Sequence, residues 1–164
     1  MRTQVCIIGG GPSGLLLGQI LSQYGIDAII LERQSRGLVK GRIRAGVLET
    51  GTCEMLRKAG VGDRLLREGF VHEGISITAL DRQFRIDFKQ HVQKHVTVYG
   101  QTEVTADLYN ARDKAGLMTL HQAEVITIHD VITDAPFVTF IEKGREQRID
   151  CDFIAGCDGF HGVS

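Results

Sequence analysis

Val5-Cys6-Ile7-Ile8-Gly9-Gly10-Gly11-Pro12-Ser13-Gly14-Leu15-Leu16-Leu17-Gly18, continued by Ala28-Ile29-Ile30-Leu31-Glu32, is the stretch whose reading decides the fold. Val5 to Ile8 is apolar without alternation, the pattern of a strand covered on both faces of a parallel sheet. Gly9, Gly11 and Gly14 make G-x-G-x-x-G. The first glycine permits a tight turn, the second lets backbone approach a pyrophosphate, and the third brings helix and strand together. Gly10 is extra to that pattern and reads as a small residue in a crowded turn. Pro12 suits a first helical turn, where its missing N–H would go unpaired anyway. Leu15, Leu16, Leu17, Ile20 and Leu21 give the helix an apolar face, and Gly25 marks its end. Ala28 to Leu31 is a second buried strand, closed by Glu32, 18 residues beyond Gly14. A carboxylate there can accept hydrogen bonds from ribose hydroxyls, and the free amides of the helix N-terminus favour a phosphate. Strand, glycines, helix, strand and terminal acid together describe a dinucleotide-binding βαβ unit.

Composition sets the bounds around this unit. A chain of 164 residues, 43% hydrophobic and 24% charged, fits one ordinary globular domain with a real core. Nineteen basic against 20 acidic residues leave net charge −1, which argues against a nucleic-acid partner. No run of 18 apolar residues occurs, and the apolar start is a strand and glycines rather than a secretion signal, so a cytoplasmic protein is expected. Cys6, Cys53, Cys151 and Cys157 lack C-x-x-C spacing and read as reduced, buried small hydrophobes. His91 and His95 stand four apart with no carboxylate or cysteine pattern beside them, so no metal site is expected.

Beyond Glu32 the chain turns polar, and Arg33 and Gln34 open what reads as a loop through Gly37. Arg33 can reach a second phosphate-bearing ligand or simply face solvent. In Gly41-Arg42-Ile43-Arg44-Ala45-Gly46-Val47-Leu48, two arginines bracketed by small residues suggest a segment lying along an anionic ligand; exposed ion pairing is the alternative. Helices are expected over 48–59 and 63–67, and an antiparallel hairpin from Ile75–Thr78 and Phe84–Phe88. Lys89 to Lys94 reads as a loop and Val96 to Val98 as a short β-prone run. A helix capped by Thr102 or Thr105 carries Val104, Leu108 and Ala111 on one side, with charges opposite, and stops at Gly116. Leu117 to His121 resembles a third parallel strand. A meander follows over 123–129, 137–141 and 146–149. The run Cys151 to Asp158 is a strand expected to return to the main sheet and deliver Asp158 to its carboxyl edge. The stop at Ser164, straight after that strand, is awkward for a complete domain.

Three motifs carry a family resemblance: Gly9 to Gly14 with Glu32, Gly41 to Leu48, and Cys157-Asp158-Gly159-Phe160-His161-Gly162. Val71-His72-Glu73-Gly74 and Val98-Tyr99-Gly100-Gln101-Thr102-Glu103 add to it. With them the chain resembles, over its whole length, the N-terminal part of the group A flavoprotein aromatic hydroxylases. The resemblance implies a Rossmann-like, glutathione-reductase-like FAD-binding domain spanning 1–164, with a parallel sheet, a β-meander and an inserted hairpin, cut short of its substrate domain. It also implies FAD and NADPH as cofactors, and a phenolic acid and O2 as partners. A homodimer is expected for the full-length protein.

The same resemblance distributes roles. Gly9, Gly11, Ser13 and Gly14 would hold the FAD pyrophosphate and Glu32 the adenosine ribose. Arg42, Ile43, Arg44, Ala45, Gly46 and Val47 would line the flavin side, with Gln101 also touching the cofactor. Arg33, Gln34, Arg44, Asp158 and His161 would engage NADPH, and Leu38 lies in a loop that tunes nicotinamide choice. His72 would be the solvent end of a proton chain to the phenol; a surface histidine at a strand start is the plain alternative. Two further readings stand beside this one: a self-standing, non-catalytic FAD-binding module, and a dehydrogenase with an NAD-type cofactor.

Overall fold

The computed structural model describes residues 1–164. In chain order the elements begin β1 Val5–Ile8, α1 Pro12–Gln23, β2 Ala28–Glu32, α2 Arg36–Gly41, β3 Val47–Glu49 and α3 Thr50–Lys58. They continue with α4 Asp63–Glu68, β4 Phe70–His72, β5 Gly74–Ala79, β6 Arg82–Asp87, α5 Phe88–Val92 and β7 Val96–Val98. The last are α6 Gln101–Lys114, β8 Thr119–His121, β9 Glu124–His129, β10 Phe137–Glu142, β11 Arg145–Asp150 and β12 Phe153–Gly156. These fold as two compact units, Met1–Arg42 with Thr105–Ser164, and Ile43–Val104.

The first unit is built on a four-stranded sheet, β12-β1-β2-β8, in which each neighbouring pair is parallel. All four residues of β1 are buried, as a central strand covered on both faces requires. Cys6, Ile29 and Leu31 turn to one side, where Val138, Phe140, Ile149 and Cys151 of the meander region complete a core. Burying each such large side chain contributes about 1.5–3 kcal/mol. On the other side Ile7 and Ile30 meet α1 at Gly18, which sits so close that an added Cβ would lie 3.1 Å from the Ile30 Cδ1. The meander is the antiparallel sheet β11-β10-β9. Both the third parallel strand and the return of the closing strand beside β1 match the expectation from sequence.

The second unit holds a three-stranded antiparallel sheet, β3-β7-β4, and the separate hairpin β5-β6. The hairpin is nearly all exposed, Ile77 37% and Phe84 53%, so its alternation does not mark a buried face within this unit. Leu48 and Glu49, expected as the start of a helix, instead join Val47 in a strand that pairs with β7, and α3 begins only at Thr50. Lys89 to Lys94 is not a plain loop. The Asp87 side chain accepts from the Gln90 N–H at 2.8 Å and caps the short helix α5, which takes Phe88 out of the preceding strand. Likewise Ser35 caps α2 by accepting from the Leu38 N–H at 3.3 Å, so Arg36 to Gly41, Leu38 included, is helical rather than loop. Helix α6 starts at Gln101, before either expected threonine cap, with the Gly100 carbonyl accepting from Glu103 and Val104.

Cys6 and Cys151 are buried and reduced, and burial with Cys151 alongside pushes the Cys6 thiol up to about 12. Cys53 and Cys157 are only partly buried, against the expectation for all four. No helix is long and apolar enough to cross a membrane.

Candidate functional site

At the carboxyl end of β1 the chain turns through glycines that the space around them enforces. Gly9 sits at φ +108°, and a Cβ there would lie 2.6 Å from the Cys157 carbonyl carbon. Its N–H donates to the Leu31 carbonyl at 2.8 Å. At Gly10 an added Cβ would lie 2.8 Å from the Glu32 Cβ, which explains the small residue in the crowded turn. A Cβ on Gly14 would overlap the Gly9 carbonyl oxygen, so the third glycine is what lets α1 close down on the loop. Gly11 differs from these. It is the N-cap of α1 in extended conformation, and nothing lies within 4 Å of where its Cβ would be. Pro12 opens the helix, Ser13 is exposed, and no acidic side chain occupies the first turn. No side chain of the first turn offsets the positive end of the helix dipole.

Glu32 is buried at 9% exposure, with both carboxylate oxygens engaged. Oε2 accepts from the Gly10 N–H at 2.8 Å and Oε1 from the Gln34 N–H at 2.7 Å. Two amides leave further lone pairs on a carboxylate, so it can still accept from hydroxyls. The end of β2 is tied to the residues after β8: Ala123 donates to the Glu32 carbonyl at 3.0 Å and Gln122 to the Gln34 carbonyl at 3.3 Å. Gln34 is thus placed by its backbone, and Arg33 points to solvent.

Beneath the loop lies a polar cluster absent from the sequence-based reading. The Tyr109 hydroxyl, from α6, is 3.2 Å from the Gly10 carbonyl and 3.0 Å from the His121 Nε2. Arg36 lies over the Tyr109 ring, 4.6 Å from its centroid, and pairs with Asp113 through an Nη1–Oδ1 bond of 3.0 Å. Burial, with Glu32 nearby, raises the Tyr109 phenol to about 12, so it stays a donor. Burial, then Arg36, pushes His121 below its ordinary value. Arg112 is wholly buried against Gly18, donating from Nε to the Thr119 Oγ1 at 3.0 Å and from Nη2 to the Met118 carbonyl at 2.7 Å. The sequence placed the charges of α6 opposite Val104 and Leu108. The residue four beyond Leu108 shares its face, and that spacing was the available signal for Arg112.

Asp158 arrives two residues past β12, as expected, beside the loop: the Cys157 N–H donates to the Ile8 carbonyl at 2.7 Å. Its carboxylate is turned back on its own chain, accepting from the Val163 N–H at 2.5 Å, the Ser164 N–H at 3.2 Å and the Ser164 hydroxyl. Burial pushes its pKa up, but those hydrogen bonds outweigh it and hold the group below the ordinary carboxylate range. His161 is exposed and meets Phe160 edge to face.

Arg42 closes α2 with its N–H 3.5 Å from the Val39 carbonyl. From Ile43, 91% exposed, through Arg44, Ala45 and Val47 the side chains stand in solvent. Gly46 is anchored beside the pairing of Val47 with Val98: its carbonyl accepts from Tyr99 at 2.7 Å, and an added Cβ would lie 2.5 Å from the Gly100 Cα. Gln101 begins α6 and is partly buried. His72 ends β4, exposed, opposite Val96 of β7.

Comparison with known proteins agrees with this architecture. The family model "FAD binding domain" matches residues 2–164. The p-hydroxybenzoate hydroxylase of Acinetobacter baylyi is 50% identical over 164 residues, covering 99% of this chain and 40% of that protein. A 3-(3-hydroxy-phenyl)propionate/3-hydroxycinnamic acid hydroxylase of Burkholderia cenocepacia is 22% identical, over 96% of this chain and 30% of its own length. The chain therefore spans less than half the length of these relatives. Among solved structures, p-nitrophenol 4-monooxygenase from Pseudomonas putida superposes with a TM-score of 0.82 at 19% identity, over 99% of this chain and 42% of that one. With the glycine turn, the buried acid and the returning closing strand all in place, the chain belongs to the family of FAD-binding domains.

Proposed function

We propose that this chain is the cofactor-binding portion, residues 1–164, of an FAD-dependent, NADPH-consuming aromatic monooxygenase. Its reaction is hydroxylation of 4-hydroxybenzoate ortho to the phenol, giving 3,4-dihydroxybenzoate. The observation that carries the substrate is the 50% identity, sustained over 99% of the chain, to a p-hydroxybenzoate hydroxylase. The fit to FAD rests on the loop itself. Open space borders Gly11 at the N-terminus of α1, while Gly9, Gly10 and Gly14 are closed by neighbours, so the chain leaves room where a diphosphate would approach.

Bound FAD would supply the two-electron chemistry that takes electrons from NADPH and spends them on O2. The residues supply placement. Ser13 and the amides of Gly9, Gly11 and Gly14 hold the diphosphate, and Glu32 accepts from the adenosine ribose. Arg42, Ile43, Arg44, Ala45, Gly46, Val47 and Gln101 line the flavin side. Arg33, Gln34, Arg44, Asp158 and His161 engage NADPH. Asp158 does so through what its turn presents, since its carboxylate already accepts from Val163 and Ser164. His72, exposed at the end of β4, exchanges the phenol's proton with solvent, and deprotonation enriches the ring carbon that is hydroxylated. The full-length protein is a cytoplasmic homodimer in this reading.

The test is the purified protein with its mass confirmed. A flavin absorption spectrum is expected, with NADPH oxidation accelerated by 4-hydroxybenzoate and 3,4-dihydroxybenzoate formed. A colourless protein that takes up no added FAD overturns the cofactor assignment. A flavin-bound protein whose NADPH oxidation ignores 4-hydroxybenzoate overturns the substrate.

A further inference from the structure

Gly10, which opens the Gly10–Gly11 peptide, is held at its carbonyl and at its amide by side chains from outside the turn. Its carbonyl oxygen lies 3.2 Å from the Tyr109 hydroxyl, and the preceding amide, the Gly10 N–H, donates to Glu32 at 2.8 Å. The peptide is trans and planar, so fixing the Gly10 carbonyl also fixes the Gly11 N–H, which points the opposite way. Tyr109 is on the buried side, 1% exposed, and the open space lies at Gly11. We infer that Tyr109 is a positioning residue for the dinucleotide: by pinning the Gly10 carbonyl it aims the Gly11 amide at the phosphate, and His121 sets how firmly it does so. This rests on the FAD reading above.

The part played by His121 follows from counting hydrogens. The Tyr109 hydroxyl has one proton and two acceptors within reach, the Gly10 carbonyl and the His121 Nε2 at 3.0 Å. When Nε2 carries no proton it competes for the phenol's hydrogen. In the imidazolium both nitrogens donate, so Nε2 gives to the Tyr109 oxygen and the phenol's hydrogen goes to Gly10. The groups facing the ring are Glu32 of β2, Arg36 of α2, and Tyr109 and Asp113 of α6, with the Thr119 carbonyl of its own strand. Burial, then Arg36, favours the neutral ring, while Glu32, Asp113 and Thr119 favour the charged one. The net shift is downward from 6.5, so the change falls on the acid side of neutrality.

The experiment compares wild type with Tyr109→Phe, which keeps the ring and removes one oxygen. FAD affinity is read by quenching of flavin fluorescence between about pH 4.5 and 8, a window that reaches well below an ordinary histidine. In the apoprotein the Gly11 amide resonance is followed over the same range. Losing one neutral hydrogen bond predicts FAD binding about fivefold weaker in the variant. The Gly11 amide should follow the His121 titration in wild type and cease to do so in the variant. His121→Gln, which keeps an amide donor near the Nε2 position, should bind FAD across the range as wild type does at its acid end, without the pH dependence. Equal FAD affinity in wild type and Tyr109→Phe overturns the inference. Should wild type bind no FAD, the cofactor reading fails by itself. The apoprotein spectra then decide for Tyr109, and a Gly11 amide indifferent to Tyr109→Phe refutes it.

Discussion

The glycine loop after β1 and the segment from Arg42 to Val47 both read, in sequence, as backbone that meets an anionic ligand, yet they are built in opposite ways. The loop is finished before any ligand arrives. Gly9 and Gly14 are locked by neighbouring backbone, the Gly10 amide and carbonyl both have partners, and Glu32 is buried and doubly bonded. The arginine segment is open, with Arg42, Ile43, Arg44, Ala45 and Val47 exposed and its backbone anchored toward the ends, at Arg42 and at Gly46 with Val47. The lesson is about where each pays for order. A locked loop pays its conformational entropy in folding and binds a preformed site, whereas an exposed segment pays on binding. Substitutions in the loop should therefore damage fold and binding together, and substitutions in the segment should separate them.

The largest expected effect is at Gly14. A methyl there collides with the Gly9 backbone carbonyl rather than with a flexible side chain, so α1 must move off the loop. Gly14→Ala should lower stability by about 3 kcal/mol or more in urea denaturation and abolish FAD uptake. A variant of wild-type stability that still takes up FAD would show that the loop is not locked. The next effect tests the other side of the comparison. Arg44→Ala should leave the urea midpoint unchanged, because the side chain is exposed. It should weaken NADPH binding, and FAD with it, by about 1.5–3 kcal/mol if a charge-assisted hydrogen bond is lost. Unchanged affinities measured by titration calorimetry would remove Arg44 from the site.

The smallest effect sharpens the boundary between the two. The Arg36–Asp113 pair flanks Tyr109 but is itself partly exposed, so Arg36→Ala should cost no more than about 1 kcal/mol. The hydrogen bond to Arg36 depresses the Asp113 pKa below 3.8. That stability is present above the unfolded value and is lost as pH falls through the folded one. Wild type and Arg36→Ala should therefore differ in thermal denaturation above about pH 3.9, the ordinary aspartate value, and converge only as the pH falls on through the depressed folded value. A difference that persists in acid would mean that Arg36 acts through its stacking on Tyr109 instead.

Much of the first unit was legible because its signals are local. An apolar run without alternation, a glycine triplet with a proline behind it, and an acid closing the next strand each constrain backbone within a few residues. Cys151 to Asp158 could be read as a returning strand for the same reason. The second unit was less legible. Val47 to Glu49 is strand only because Val96 to Val98 lies beside it, and three residues carry too little pattern to announce pairings 51 positions apart (Val47 with Val98) to 47 apart (Glu49 with Val96). The short helices at Arg36 and Phe88 were missed because their caps, Ser35 and Asp87, work through side-chain bonds that a polar composition disguises as loop.

By itself, then, the amino-acid order determined a parallel sheet with a dinucleotide turn, the place of Glu32 at its edge, and the return of the last strand, since each follows from periodicity or from glycine's missing side chain. Only the tertiary structure decided that both oxygens of Glu32 are taken by backbone amides. It alone decided that Asp158 folds back on Val163 and Ser164, and that Tyr109, His121 and Arg112 sit buried behind the loop. Those are contacts between residues up to 99 positions apart, as from Tyr109 to Gly10. A pairing as distant as that leaves no trace in local spacing, because the chain must fold before either partner has a neighbour to be chosen for.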